Sequence, residues 1–215
     1  AMPITPIELH EAIFASAPWK APGPDRTPFI ALHQCEAILK PYLLALFSAS
    51  LRLRYVPPIW KAATVVAVPK PHADLSVPKG YRPISLLSCI SKTLECIIMR
   101  RLTHYLEQNS LLSSNQFGFR KAHSTEWALW NFVSAATNAL KTRHRLMALK
   151  LDVQGAYDHV WHIGLLHKLM KLRVSAPLIG WIASFLTSRS AQLQVGSAVV
   201  TQHLTAGVPQ EIGRA

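Results

Sequence analysis

Residues 149–158 read Leu-Lys-Leu-Asp-Val-Gln-Gly-Ala-Tyr-Asp. An apolar run ending in Asp152 predicts a strand over 145–151 that delivers a carboxylate to the carboxyl end of a sheet, where ligand sites of α/β folds gather. A hard cation such as Mg²⁺ takes carboxylate and carbonyl oxygens and keeps substrate phosphate oxygens as further ligands. Asp152 with the Val153 carbonyl suits part of such a shell. Gly155 and Ala156 allow close backbone approach, so their N–H groups could meet a phosphate. Tyr157 would then stand as an aromatic plate beside the bound group. The same residues also suit a plain strand-end turn with Asp152 as its cap, and both readings stay open at this level.

A second cluster is Lys70, flanked by Pro69 and Pro71, followed after a polar loop by Gly80-Tyr81-Arg82-Pro83. A lysine at a strand end and an arginine just before a helix could converge on a phosphate chain, the arginine as bidentate donor and the lysine as point charge. Local capping by Arg82 is the alternative. A third stretch, residues 116–125, reads Gln-Phe-Gly-Phe-Arg-Lys-Ala-His-Ser-Thr. Phe117, Arg120 and Lys121 in one loop suit single-stranded nucleic acid, by stacking plus charge. Phe117 and Phe119 could equally anchor the loop to a core. Other chemistries find no footing. His159, His162 and His167 lack cysteine partners and the H-E-x-x-H pattern of a zinc site. No phosphate-binding G-x-x-x-x-G-K-[ST] loop, G-x-G-x-x-G or G-x-S-x-G motif occurs.

The balance of charge agrees with a polyanionic partner. The 215 residues carry 23 Lys+Arg against 11 Asp+Glu, a net charge of +12. The acidic deficit is sharper in the second half, where Glu126, Asp152, Asp158 and Glu211 are the only carboxylates after residue 110. No block of five like charges exists, so the basic groups decorate folded elements and do not form a tail. Half the residues are apolar, which excludes a disordered basic segment and supplies a sizeable core. The apolar runs are too short to span a bilayer, and no signal peptide is visible at the start of the sequence. Cys35, Cys89 and Cys96 cannot all pair and show no C-x-x-C spacing, which points to a reduced, intracellular setting, nuclear or cytoplasmic.

The elements that must position these groups are of mixed α/β type. Apolar periodicity predicts a helix over 4–17 and one or two helices over 32–54, interrupted at Pro41 and stopped by Pro57 and Pro58. A buried strand is predicted over 62–68, a polar loop over 71–83 and a long helix over 85–108, with Cys89 and Cys96 in its core face. Further helices are predicted over 124–141, 162–172 and 177–187. A hairpin of 191–195 and 199–204 should turn at Gly196 and Ser197.

In their order along the chain these pieces resemble the reverse transcriptase of non-LTR (LINE-type) retrotransposons, over nearly the whole length. The matching stretches are residues 20–25 (Lys-Ala-Pro-Gly-Pro-Asp), 68–71, 81–87 (Tyr-Arg-Pro-Ile-Ser-Leu-Leu), 116–120 with Ser124 and Thr125, 151–158, and 207–210 (Gly-Val-Pro-Gln). The resemblance implies a right-hand polymerase. Residues 1–60 would be an N-terminal helical extension of the fingers, 61–145 fingers with part of the palm, and 146–215 an incomplete palm. Asp152 would be the catalytic, metal-binding aspartate of the first palm motif, with the Val153 carbonyl beside it. Tyr157 would be the steric gate that selects deoxynucleotides. Lys70 and Arg82 would hold the incoming triphosphate, Gly155 and Ala156 would meet it through the backbone, and Gln210 would lie beside the nucleotide. RNA template, DNA primer, deoxynucleoside triphosphates and Mg²⁺ follow as partners, with two-metal nucleotidyl transfer as the reaction.

Departures from the family pattern are equally plain. The Gly-Ser expected after Gln210 is replaced by Glu211-Ile212, and no Tyr/Phe-x-Asp-Asp motif occurs within residues 1–215. Arg26 stands where glycine commonly follows Pro-Gly-Pro-Asp, and His123 where arginine often precedes Ser-Thr. The expectation is a fragment lacking the catalytic palm hairpin and the thumb, inactive as this chain and with apolar surface left uncovered. The rival readings are a non-catalytic basic RNA-binding module and a decayed retroelement remnant.

Overall fold

The computed structural model describes residues 3–195 and 198–209. Helix α1 (Pro6–Phe14) starts at a reciprocal cap: the Thr5 hydroxyl accepts from the Glu8 amide, and the Glu8 carboxylate accepts from the Thr5 amide. α2 (Phe29–Gln34) and α3 (Glu36–Leu53) are separated only by Cys35. The expected interruption at Pro41 does not occur, because Pro41 lies in the second turn of α3, where its missing N–H removes one bond near the helix start and the rest of the ladder continues. α3 closes on Arg54 in the left-handed conformation, and Pro58 opens the short α4 (Pro58–Lys61).

A four-stranded mixed sheet follows, in the order β2-β1-β3-β4. β1 (Ala62–Pro69) pairs antiparallel with β2 (Tyr81–Leu86) and parallel with β3 (Arg189–Val195), which pairs antiparallel with β4 (Ala198–Leu204). β2 occupies positions expected to be loop and helix. Pro83 hides it in the sequence, since proline is excluded from central strands, but β2 lies on the sheet edge where a missing N–H is tolerated. The helix expected from residue 85 therefore begins later, as α5 (Cys89–Gln108). β1 is half-exposed along its length and not a fully buried strand.

The remaining helices match the periodicity closely: α6 (Thr125–Lys141), α7 (His162–Lys171) and α8 (Ala176–Leu186). The β3–β4 hairpin stands where the alternation predicts it, and its turn at Gly196 and Ser197 lies outside the described residues. The strand expected over 145–151 is absent: residues 144–153 form no regular structure. A strand exists only through its ladder partner, and the four strands of the sheet pair with one another.

The chain folds as two compact units, residues 104–154 and the remainder. In the larger unit, α1, α2, α3, α5 and α8 enclose one core that includes Leu9, Ile13, Phe29, Phe47, Leu94 and Trp181. Cys89 is fully buried, Cys96 packs against this core, and no disulfide joins the cysteines. Polar links knit the helices across long sequence separations. The Trp181 indole donates to the Ser50 hydroxyl (3.0 Å), which itself donates to the Tyr55 carbonyl (2.6 Å). Arg101 on α5 makes a bidentate pair with Glu8 (2.6 and 2.8 Å), whose carboxyl is held down to about 2, chiefly by that hydrogen bond. Gly23 lies so close to the backbone of Leu87 and Ser88 that any Cβ there would collide with it. The Pro-Gly-Pro turn is thereby seated on the chain between β2 and α5.

The smaller unit contains the last turn of α5, a loop and α6. The Ser124 hydroxyl caps α6 by accepting from the Trp127 amide (3.3 Å), yet no residue of α6 is buried. Among the described residues, no helix is long and apolar enough to cross a membrane.

Candidate functional site

The antiparallel ladder of β1 and β2 brings Lys70 and Arg82 to one end of the sheet. Arg82 stands opposite Val68, two residues before Lys70, and the Lys70 amide continues the pairing by donating to the Gly80 carbonyl (2.8 Å). The Lys70 ammonium donates to the Lys79 carbonyl (2.8 Å), which holds it at the strand end. The loop between the strands is braced by its own bonds. Asp74 accepts from the Ser76 hydroxyl and amide (2.7 and 2.8 Å), which lower its carboxyl below the usual range, and the Tyr81 hydroxyl donates to the Leu75 carbonyl (3.2 Å). Arg82 is exposed. Two cations thus share one strand end, the arrangement that suits a polyphosphate.

In the same unit, residues 155–162 fold as a tight turn leading into α7. Gly155 adopts a positive φ (63°), and the His159 amide donates to its carbonyl (3.0 Å). Ala156 and Tyr157 face solvent, with Tyr157 41% exposed. This turn carries the chain around 207–208. The Val208 amide donates to the Tyr157 carbonyl (2.8 Å), the Gly207 amide donates to the Val160 carbonyl (3.0 Å), and His162 Nε2 donates to the Gly207 carbonyl (2.6 Å). Gly207 sits at φ 81°, and a Cβ there would lie 2.8 Å from the Asp158 carbonyl oxygen and 2.9 Å from that of Tyr157. Glycine is therefore required twice over, by conformation and by space. Two stretches singled out separately in the sequence, one ending in Asp158 and the other beginning at Gly207, are joined. Gln210 lies outside the described residues.

The other predicted residues belong to the smaller unit. Asp152 and Val153 are exposed on the irregular segment, and the strand that was to present Asp152 is not formed. Arg120 is engaged locally. Its guanidinium forms a bidentate pair with Glu107 (2.8 and 2.7 Å) and donates to the carbonyls of Ser113 and Gln116 (2.7 and 3.2 Å). The hydrogen bond from Arg120 holds the Glu107 carboxyl below its ordinary range. Phe117 packs beside the His123 ring, centroids 5.6 Å apart, and Lys121 is exposed. Arg120 therefore organises the loop, which leaves the exposed Lys121 as the cation turned to solvent.

His162 is the residue that sequence reasoning missed. It was weighed only as a zinc ligand, because its partner lies 45 residues away and no local spacing announces a bond to a backbone carbonyl. As for a metal, no group of three or more His, Cys, Asp or Glu that could hold an ion occurs among the described residues. Asp152 and one carbonyl supply part of a hard-cation shell and not the whole of a two-metal site. On their own these residues do not fit a two-metal group.

Comparison with known proteins agrees with the order of the motifs. Residues 68–210 match the family described as reverse transcriptase (RNA-dependent DNA polymerase). The chain is 38% identical over 97% of its length to the probable RNA-directed DNA polymerase from transposon X-element of Drosophila melanogaster, covering 23% of that protein. It is 35% identical over 98% of its length to the RNA-directed DNA polymerase from mobile element jockey of Drosophila funebris, again covering 23%. The probable RNA-directed DNA polymerase from transposon BS of Drosophila melanogaster is also 35% identical, with 98% of this chain and 24% of the relative covered. The chain thus spans about a quarter of the length of these relatives. With two thirds of its residues matched by the family, and with relatives of this kind along nearly all of it, the chain belongs to the reverse transcriptases of non-LTR, LINE-type retrotransposons.

Proposed function

We propose that this chain is the nucleotide- and template-contacting part of an RNA-directed DNA polymerase, with residues 1–60 and 61–145 in the fingers and 146–215 in the palm. The working partners are an RNA template, a DNA primer and deoxynucleoside triphosphates. Lys70 and Arg82 neutralise the triphosphate, Gly155 and Ala156 offer backbone N–H groups, and Tyr157 sets the steric limit at the sugar C2′ position. Gln210 borders the same nucleotide, while Phe117 and Lys121 meet the template, with Arg120 holding their loop in shape. Asp152 is the carboxylate that the longer polymerase employs with divalent metal. The observation that supports this reading most directly is the bonding of 207–208 to 157–162, which joins two stretches far apart in sequence that are both proposed to border the nucleotide.

Equilibrium binding of Mg²⁺-dATP to the chain on an RNA template–DNA primer duplex tests this reading. Arg82→Ala should weaken binding about tenfold, the scale of a lost charge-assisted bond. Tyr157→Ala should let the ribonucleotide bind nearly as well as the deoxynucleotide. Binding that ignores both substitutions rejects the nucleotide site. The chain itself is proposed not to extend primers, since Asp152 is the one carboxylate assigned to the site, where two metals need several. Templated, Mg²⁺-dependent extension that disappears in Asp152→Asn would overturn that part.

A further inference from the structure

From the bonding at Gly207 we infer that His162 is a positioning residue for nucleotide selection: its imidazole fixes residues 207–208 against the backbone of Tyr157. The inference rests on the proposed nucleotide site. A backbone carbonyl can only accept, so the ring atom facing the Gly207 oxygen at 2.6 Å must carry hydrogen, which assigns the Nε2–H form to His162.

The position of His162 gives the bond leverage. It is the first residue of α7, and α7 is anchored at its far end by buried Leu169 and by Val174 just beyond it. The Leu165 amide donates to the Trp161 carbonyl (3.0 Å), so the helix is already formed at the residue that reaches out. The Gly207 and Val208 amides donate two main-chain bonds to the turn, to the Val160 and Tyr157 carbonyls, and the imidazole closes the third side by donating to the Gly207 carbonyl. Gly207 has no Cβ and stands at a positive φ, a conformation in which glycine has more freedom to lose than any other residue. A side chain mounted on a rigid helix removes that freedom. What it fixes is the spacing between the ring proposed to exclude a 2′-hydroxyl and the segment proposed to flank the base. His162 need not touch the nucleotide, and so it acts through Gly207.

The test compares His162→Leu, which removes the donor, with His162→Gln, which restores an N–H at similar reach. Two readouts are taken on the 215-residue chain: exchange of the Gly207 and Val208 amides, and the ratio of Mg²⁺-dATP to Mg²⁺-ATP affinity on the primer–template duplex. His162→Leu should speed exchange at both amides about tenfold and cut the deoxy-over-ribo ratio about fivefold, the scale of one net hydrogen bond. His162→Gln should recover most of both, and amides in β1 should be unaffected by either. A merely structural role would weaken both nucleotides equally and leave the ratio unchanged, and that result overturns the inference. Equal behaviour of the leucine and glutamine variants overturns it too. If discrimination depends on Tyr157 but ignores His162, the inference fails alone. If the native chain binds no nucleotide, the reading of the site fails and takes the inference with it.

Discussion

Residues 155–162 and residues 144–153 are adjacent in sequence and held in opposite ways. The first stretch has no regular structure before α7, yet three bonds shared with 207–208 fasten it. The second has the apolar residues of a strand and no ladder, with Leu149, Leu151 and Val153 each more than 70% exposed. Secondary-structure pattern and structural order are therefore separate properties. A strand-like run becomes a strand only when a neighbour accepts its hydrogen bonds, whereas an irregular turn becomes firm as soon as distant backbone groups satisfy its own.

Substitutions should reproduce this contrast in stability. The largest effect is expected in the helical core, where Phe47 is fully buried and meets the Trp60 ring edge-on at 6.0 Å. Phe47→Ala should cost about 3–5 kcal/mol by denaturant unfolding, the usual range for deleting a buried aromatic ring. A loss under about 1 kcal/mol would mean that the enclosing helices collapse into the gap.

Next comes Gly23. Gly23→Ala places a methyl group against the backbone of Leu87 and Ser88, which cannot move aside as a side-chain tip can. A loss of about 1–3 kcal/mol is expected, with the amides of β2 exchanging faster. Unchanged stability would show that the Pro-Gly-Pro turn is not seated as described.

The pair of Glu8 and Arg101 should produce a smaller effect that depends on pH. The folded carboxyl is lowered to about 2 from an ordinary value of 4.5. Its contribution is therefore complete above about pH 4.5 and is lost as pH falls through about 2. Partial exposure screens the pair, so Glu8→Gln should cost about 1–2 kcal/mol at neutral pH. The native and variant stability curves should converge towards pH 2. Parallel curves would remove this pair from the acid response.

The smallest effect belongs to the ladderless stretch. Leu149→Ser should change stability by no more than about 0.5 kcal/mol, since its side chain is 81% exposed. Amides of residues 145–152 should exchange at nearly unprotected rates, while those of the β1–β3 pairing stay protected. Protection there would break the contrast, because it would require a partner strand for this segment.

Much of the architecture is legible from local chemistry. The extents of α6, α7 and α8 follow from the 3.6-residue apolar period, and the start of α6 also from its Ser124 cap. The β3–β4 hairpin follows from period-two alternation. β2 was missed because Pro83 disguises an edge strand, and Pro41 misled because its cost depends on where it falls in a helix. At the site, Arg82 reads in the sequence as a loop residue before a helix, and only the ladder shows it in an edge strand opposite Val68. The engagement of Arg120 by Glu107 is not apparent from motif spacing, and neither is the reach of His162 to Gly207.

Residue types and their order were enough to establish the family, the basic character and the set of groups suited to nucleotide chemistry, because each depends on side-chain identity and short-range periodicity. The tertiary structure alone decided which of those groups meet: the sheet order that makes β2 an edge, the staple between 157–162 and 207–208, and the unladdered state of 144–153. Those outcomes turn on hydrogen bonds between residues tens of positions apart, and no local pattern encodes which distant backbone group will be within reach.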